Sequence, residues 1–76
     1  MNAIVAEIIV NVAARYGFTY EDILGKRKTT MVVLARQQAM LEARRVGFSY
    51  TELGQFFGRD HSTVLHACRR AEGRAA

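Results

Sequence analysis

The segment GRDHSTVLHA, Gly58 to Ala67, crowds an arginine, an aspartate, two histidines and two hydroxyls beside a short apolar stripe. Asp60 is a good N-cap, so the segment reads as a glycine turn followed by a helix from His61 to about Glu72. At 100° per residue, Val64, Ala67, Cys68 and Ala71 fall on one side of that helix. Ser62, Thr63, His66, Arg69 and Arg70 fall on the other, with Leu65 at the boundary. The first side is expected to face a core. The second is polar, basic and free of acids. Immediately upstream, FSYTELGQFFG places Ser49 three residues before Glu52, a capping box. The short helix it starts carries Leu53, Phe56 and Phe57, read as core, and Gly58 is its exit. Helix, tight glycine turn, helix is the outline of a helix-turn-helix over about residues 49–72. In such a motif the N-terminal residues of the second helix reach base edges, and cations farther along reach phosphates. A merely solvated amphipathic helix would show the same charge pattern, so the remaining residues have to decide.

Working outward, the elements are all helical. From Ala3 to Tyr16 the apolar residues Ile4, Val5, Ile8, Ile9, Val12 and Tyr16 recur at three- and four-residue steps, and Gly17 is a natural stop. Thr19 opens a short helix, YEDIL, with acids in its first turn, where the helix dipole favours them. GKRKTT, residues 25–30, is a basic loop ending in two candidate N-caps, Thr29 and Thr30. A long helix then runs from about Met31 to Val46, with Val32, Ala35, Ala39, Ala43 and Val46 roughly on one side and Met31 and Met40 as packing material. A frayed GRAA tail follows the last helix. The expected architecture is one all-α domain of about five helices, residues 1–76, with no repeats and no linker long enough to divide it.

Composition narrows the function. Half of the 76 residues are hydrophobic, enough for one small core, and no apolar run approaches the roughly 20 residues needed to span a bilayer. Glu7 and Asn11 interrupt the greasiest stretch, which lacks a basic leader, and the single cysteine Cys68 fits a reducing compartment. A cytoplasmic, nucleoid location is the expectation. The net charge of +4 is polarised: only Arg15 of the eleven Lys and Arg precedes residue 26, whereas ten bases and four acids follow. That basic part suits a polyanion such as nucleic acid. His61 and His66 lie five apart, not the four that aligns ligands along a helix, and Cys68 points the opposite way, so no metal is expected. Asp60, His61 and Ser62 are sequential on one helix end, whereas catalytic partners converge from separate elements, so an enzyme is not expected. No cofactor is implied.

GRDHSTVLHA closely resembles the hallmark of the C-terminal DNA-binding domain of the bacterial replication initiator DnaA, where the pattern is usually Gly-Gly-Arg-Asp-His-Thr-Thr-Val-Leu-His-Ala. EDILGKRKTTMVVLARQQAM is similar to that family's acidic-apolar helix, basic loop and long helix, and SYTELGQFFG to the first helix of its helix-turn-helix. The resemblance covers about Ile4 to Glu72 and implies the Trp-repressor-like fold of the fourth DnaA domain. It also implies binding to DnaA boxes, short asymmetric duplex sites. By this likeness Asp60, His61 and Ser62 read base edges in the major groove, while Arg59 and Thr63 contact phosphates. Leu65 packs near a thymine methyl, and His66 lies along the backbone. A loop cation enters the minor groove; its counterpart is Lys28 or, one place earlier, Arg27. Arg36 matches a basic residue also near DNA. Lys26, Ser49 and Arg69 complete the expected contact set.

The chain departs from the family pattern in places. The family's double glycine is single here, the turn before Ser49 is also one residue short, and Ser62 replaces a threonine. Nowhere does Gly-x-x-x-x-Gly-Lys-Ser/Thr occur, so ATP-driven helicase loading is not expected of these residues. Opening on Met1 and ending without a truncation scar, the chain is expected to be a small stand-alone regulator, from a bacterium or phage, that binds its sites as a monomer. Within that class the alternative is an excised initiator domain; outside it, the alternative is a protein-interaction module that binds the initiator or another regulator through its N-terminal helix.

Overall fold

The computed structural model describes residues 2–75, which form five helices in the order α1 (Ala3–Tyr16), α2 (Tyr20–Leu24), α3 (Thr30–Val46), α4 (Tyr50–Phe57) and α5 (His61–Ala75). There is no strand among the described residues. Local chemistry sets the boundaries. Asn2 caps α1 by accepting from the backbone of Ile4 and Val5. Reciprocal capping boxes start α2 (Thr19 with Asp22) and α4 (Ser49 with Glu52), each satisfying two otherwise orphaned amides. Thr29 occupies the cap position of α3 without a side-chain bond. Gly58 takes a left-handed φ of 67°, which a side chain would resist, and so turns the chain sharply out of α4.

The core is one cluster built on α3. α5 and α1 pack against α3, α4 packs against α5, and α2 bridges α1 and α3. Val5, Ile9 and Val12 of α1, Ile23 of α2, Ala35, Ala39 and Met40 of α3, Leu53 and Phe57 of α4, and Val64, Cys68 and Ala71 of α5 are all buried. Phe56 sits half-buried beside Phe57, in an edge-to-face arrangement at 5.9 Å. The alanines along α3 let its neighbours approach closely, which is how so short a chain closes a core. Burial pushes the Cys68 thiol pKa up, as fits a small core side chain.

Three side chains assigned to packing lie outside. Ile4, Met31 and Val46 are each more than half exposed. All three sit in the first or last turn of a helix. Val46 shares its direction with the buried Ala39, but it is the last residue of α3, where the helix outruns its neighbours. The expected frayed tail is helical instead: α5 continues through Gly73 and Arg74 to Ala75, and Arg74 Nη1 donates to Gln37 Oε1 at 2.8 Å. Ala76 lies outside the described residues. That bond also satisfies Gln37, a nearly buried amide in the middle of α3. No described helix is long and apolar enough to cross a membrane.

Candidate nucleic-acid interface

Three residues, Gly58, Arg59 and Asp60, separate α4 from α5. The turn folds tightly because Gly54 has no side chain. An added Cβ there would stand 2.7 Å from the Arg59 carbonyl oxygen and 3.3 Å from the His61 nitrogen. The Arg59 amide donates back to the Gly54 carbonyl at 2.8 Å, which closes the approach. A lone glycine inside a helical pattern is the sequence signal for such a contact, and it was not among the expected site residues.

At the start of α5, Asp60 Oδ1 accepts from the Ser62 backbone (2.8 Å) and from the Ser62 hydroxyl (2.5 Å). His61 Nδ1 lies 3.6 Å from the same oxygen. These partners, the two Ser62 donors foremost, hold the Asp60 carboxyl below the usual carboxylate range. It is therefore ionised at neutral pH, with no partner on Oδ2 among the described residues. His61, Ser62, Thr63, His66, Arg69 and Arg70 are exposed along α5, and Leu65 is half-buried at the edge of that face. Ser49 is exposed too, with its hydroxyl accepting from the Glu52 amide.

The loop between α2 and α3 presents Lys26, Arg27 and Lys28, all exposed. Arg27 folds back, its Nη1 3.2 Å from Asp22 and its guanidinium 5.8 Å from the centre of the Phe18 ring. No hydrogen bond or ion pair engages Lys26 or Lys28 among the described residues. The two remaining arginines of the expected contact set are engaged within the chain. Arg36 is 7% exposed, and its Nε donates to the Ile23 carbonyl at 2.7 Å. Its Nη2 reaches the carbonyls of Gly25 (2.9 Å) and Asp22 (3.3 Å). Arg59 donates to Phe57 (2.8 Å), Gly25 (2.6 Å) and Leu24 (3.5 Å). Burial lowers both guanidinium pKa values, and the Arg59 charge lowers that of Arg36 further; both groups stay cationic at neutral pH. The physical reason is proximity. The last carbonyls of α2 have no partners within that helix, and these two side chains reach them.

Between loop and α5 runs a groove of about 710 Å³. Lys26, Lys28, Arg36, Arg59, Thr63, His66 and Arg70 line it, over a floor that includes Leu24, Val33, Met40, Phe57 and Ala67. Arg70 was not expected in the site, although it lies one helical turn beyond His66 on the same stripe. The arrangement offers two cationic edges with an acid-free trough between them. Among the described residues no three His, Cys, Asp or Glu side chains gather in a metal-binding group.

Comparison with known proteins places this geometry in a family. A family described as the bacterial DnaA protein helix-turn-helix matches residues 5–71. The chromosomal replication initiator protein DnaA 1 of Chlamydia pneumoniae is 45% identical over 67 residues, 87% of this chain and 15% of that protein. The DnaA initiator of Treponema pallidum (strain Nichols) is 42% identical over 73 residues, 92% of this chain and 16% of its own length. That of Bifidobacterium animalis is 45% identical over 65 residues, covering 83% and 11%. The chain thus spans 11–16% of the length of these curated relatives. With five helices, a three-residue turn ahead of α5 and a match over nearly its whole length, the chain belongs to the helix-turn-helix family of bacterial DnaA proteins, the C-terminal DNA-binding domain of the replication initiator.

Proposed function

We propose that the chain binds double-stranded DNA at asymmetric sites resembling DnaA boxes. The start of α5 enters the major groove, and the loop between α2 and α3 enters the adjacent minor groove. The observation that carries this reading is the exposed, acid-free edge from His61 to Arg70, facing Lys26 and Lys28 across the groove. One phosphate strand separates adjacent major and minor grooves, and the trough supplies cations on both sides of such a strand. Asp60 Oδ2 accepts from a cytosine amino group, and His61 and Ser62 meet neighbouring base edges. Thr63, His66, Arg69 and Arg70 serve the backbone, Leu65 a thymine methyl, and Ser49 a phosphate near the start of α4. Lys28 is the better minor-groove probe than Arg27, since Asp22 and Phe18 hold Arg27 back. One copy suffices for an asymmetric site, so the chain acts as a monomer. Its effect on transcription or replication then comes from occupancy of such sites.

Selection of bound sequences from a random duplex pool at near-physiological salt tests the reading. An asymmetric motif like a DnaA box is expected, and a pool without enrichment would refute it. Asp60→Ala is expected to cost roughly 1–3 kcal/mol of discrimination at one base pair, with little loss on unrelated duplex. This variant also loses the bonds to Ser62, so its affinities belong at a temperature where circular dichroism shows it folded. Duplex binding indifferent to both Asp60→Ala and removal of the loop charges would instead favour a protein partner.

A further inference from the structure

We propose that Arg59 and Arg36 are positioning residues that lock the root of the basic loop to the turn of the helix-turn-helix, so that loop and α5 meet DNA as one rigid reader. The consequence for affinity rests on the duplex-binding reading above, whereas the lock itself is a property of the free chain.

The Gly25 carbonyl accepts from both side chains, from Arg36 Nη2 at 2.9 Å and Arg59 Nη2 at 2.6 Å. Arg59 thereby joins two places 34 residues apart: through Nη1 it also holds Phe57, its own side of the turn, at 2.8 Å. Arg36 approaches from α3 and takes the carbonyl of Ile23. All but one of the acceptors lie at the C-terminal end of α2, where carbonyls lack helical partners and the dipole favours a cation. α2 has only five residues and one buried side chain, Ile23, so its own packing fixes the loop root weakly. Neither guanidinium has a carboxylate partner among the described residues. The Asp22 carboxylate is already engaged by Thr19 and Arg27. Two guanidiniums meeting on one shared carbonyl form a strut and not a pair of surface charges, and the strut ends beside Lys26. Were the loop free, its ordering would oppose binding each time the chain met DNA; a loop already held avoids that cost.

A phosphate contact and a strut respond differently to Arg59→Lys. Lysine keeps the charge, so a phosphate contact survives, but one ammonium does not span the carbonyls of Leu24, Gly25 and Phe57. The experiment uses the full 76-residue chain. Amide relaxation of the free protein is expected to show order parameters at Lys26–Thr29 falling from about 0.85 toward 0.6 in Arg59→Ala and Arg59→Lys, while α3 and α5 stay rigid. Affinity for the selected duplex should fall about tenfold in both variants. In a chain already carrying Lys26→Gln, Arg27→Gln and Lys28→Gln, Arg59→Ala should cost less than about threefold, because the loop it positions no longer contributes. Equal losses in both backgrounds, or Arg59→Lys behaving as wild type with an unchanged loop, would overturn the proposal. If Arg59→Ala does not fold, Arg59→Lys and Arg36→Lys decide the same question. If the wild-type chain binds no duplex, the DNA reading fails while the relaxation result still decides the lock.

Discussion

Gly54→Val should lower the melting temperature of the chain by roughly 10–25 °C, an effect expected from about 3 kcal/mol of overpacking in a domain of this size. The cause is backbone against backbone. A Cβ at position 54 would lie 2.7 Å from the Arg59 carbonyl oxygen and 3.3 Å from the His61 nitrogen, neither of which is a flexible side-chain end. Relief requires α4 and the start of α5 to separate, and that movement also pulls Leu53 and Phe57 away from Val64 in the core. Gly54→Ala should show the same direction less strongly, since better helix propensity offsets part of the strain by about 1 kcal/mol. Thermal unfolding followed by circular dichroism measures both. A valine variant that melts with the wild type would mean that the tight turn is not required. Because the displaced segment carries Asp60 and His61, any folded fraction of the valine variant should also lose sequence discrimination.

Replacing Lys26, Arg27 and Lys28 together with glutamine should weaken duplex binding by roughly 50- to 500-fold at about 0.1 M salt. Each phosphate contact adds about 0.9 to the slope of log affinity against log salt, which at that concentration is close to one decade of affinity apiece. The lower figure corresponds to two contacts, Lys26 and Lys28, which no hydrogen bond or ion pair engages among the described residues. The upper adds Arg27, which must first leave Asp22 and Phe18. The salt slope should fall by about 2 to 3 in parallel. A titration repeated at several salt concentrations checks both quantities at once. Folding should be little affected, since all three side chains are exposed and Arg27 makes only a surface ion pair and an exposed contact with the Phe18 ring. An unchanged slope would remove the loop from the interface and leave α5 to bind alone. Asp60→Ala offers the opposite pattern, a changed preference with a nearly unchanged slope, so the two variants separate shape and charge from base reading.

What the sequence determined by itself is what short-range physics governs. The period of 3.6 residues, the reciprocal caps Thr19–Asp22 and Ser49–Glu52, and glycines 17, 47 and 58 with left-handed or otherwise positive φ are all set within a few residues of each other. They were enough to place five helices and to sort α5 into an inner stripe of Val64, Ala67, Cys68 and Ala71 and an outer one beginning at His61. The tertiary structure alone decided where long side chains end. Arg36 and Arg59 look like their exposed neighbours in the sequence, yet the carbonyls that hold them lie up to 35 residues away. Ile4 and Val46 fit the apolar periodicity and Met31 reads as packing material, but neither signal registers where a helix outruns its neighbours. Gly54 likewise acquires its meaning only when the turn folds back upon it. Repeating angles and caps are local properties, whereas a guanidinium's choice between a distant carbonyl and solvent depends on which helix ends the packing brings within reach.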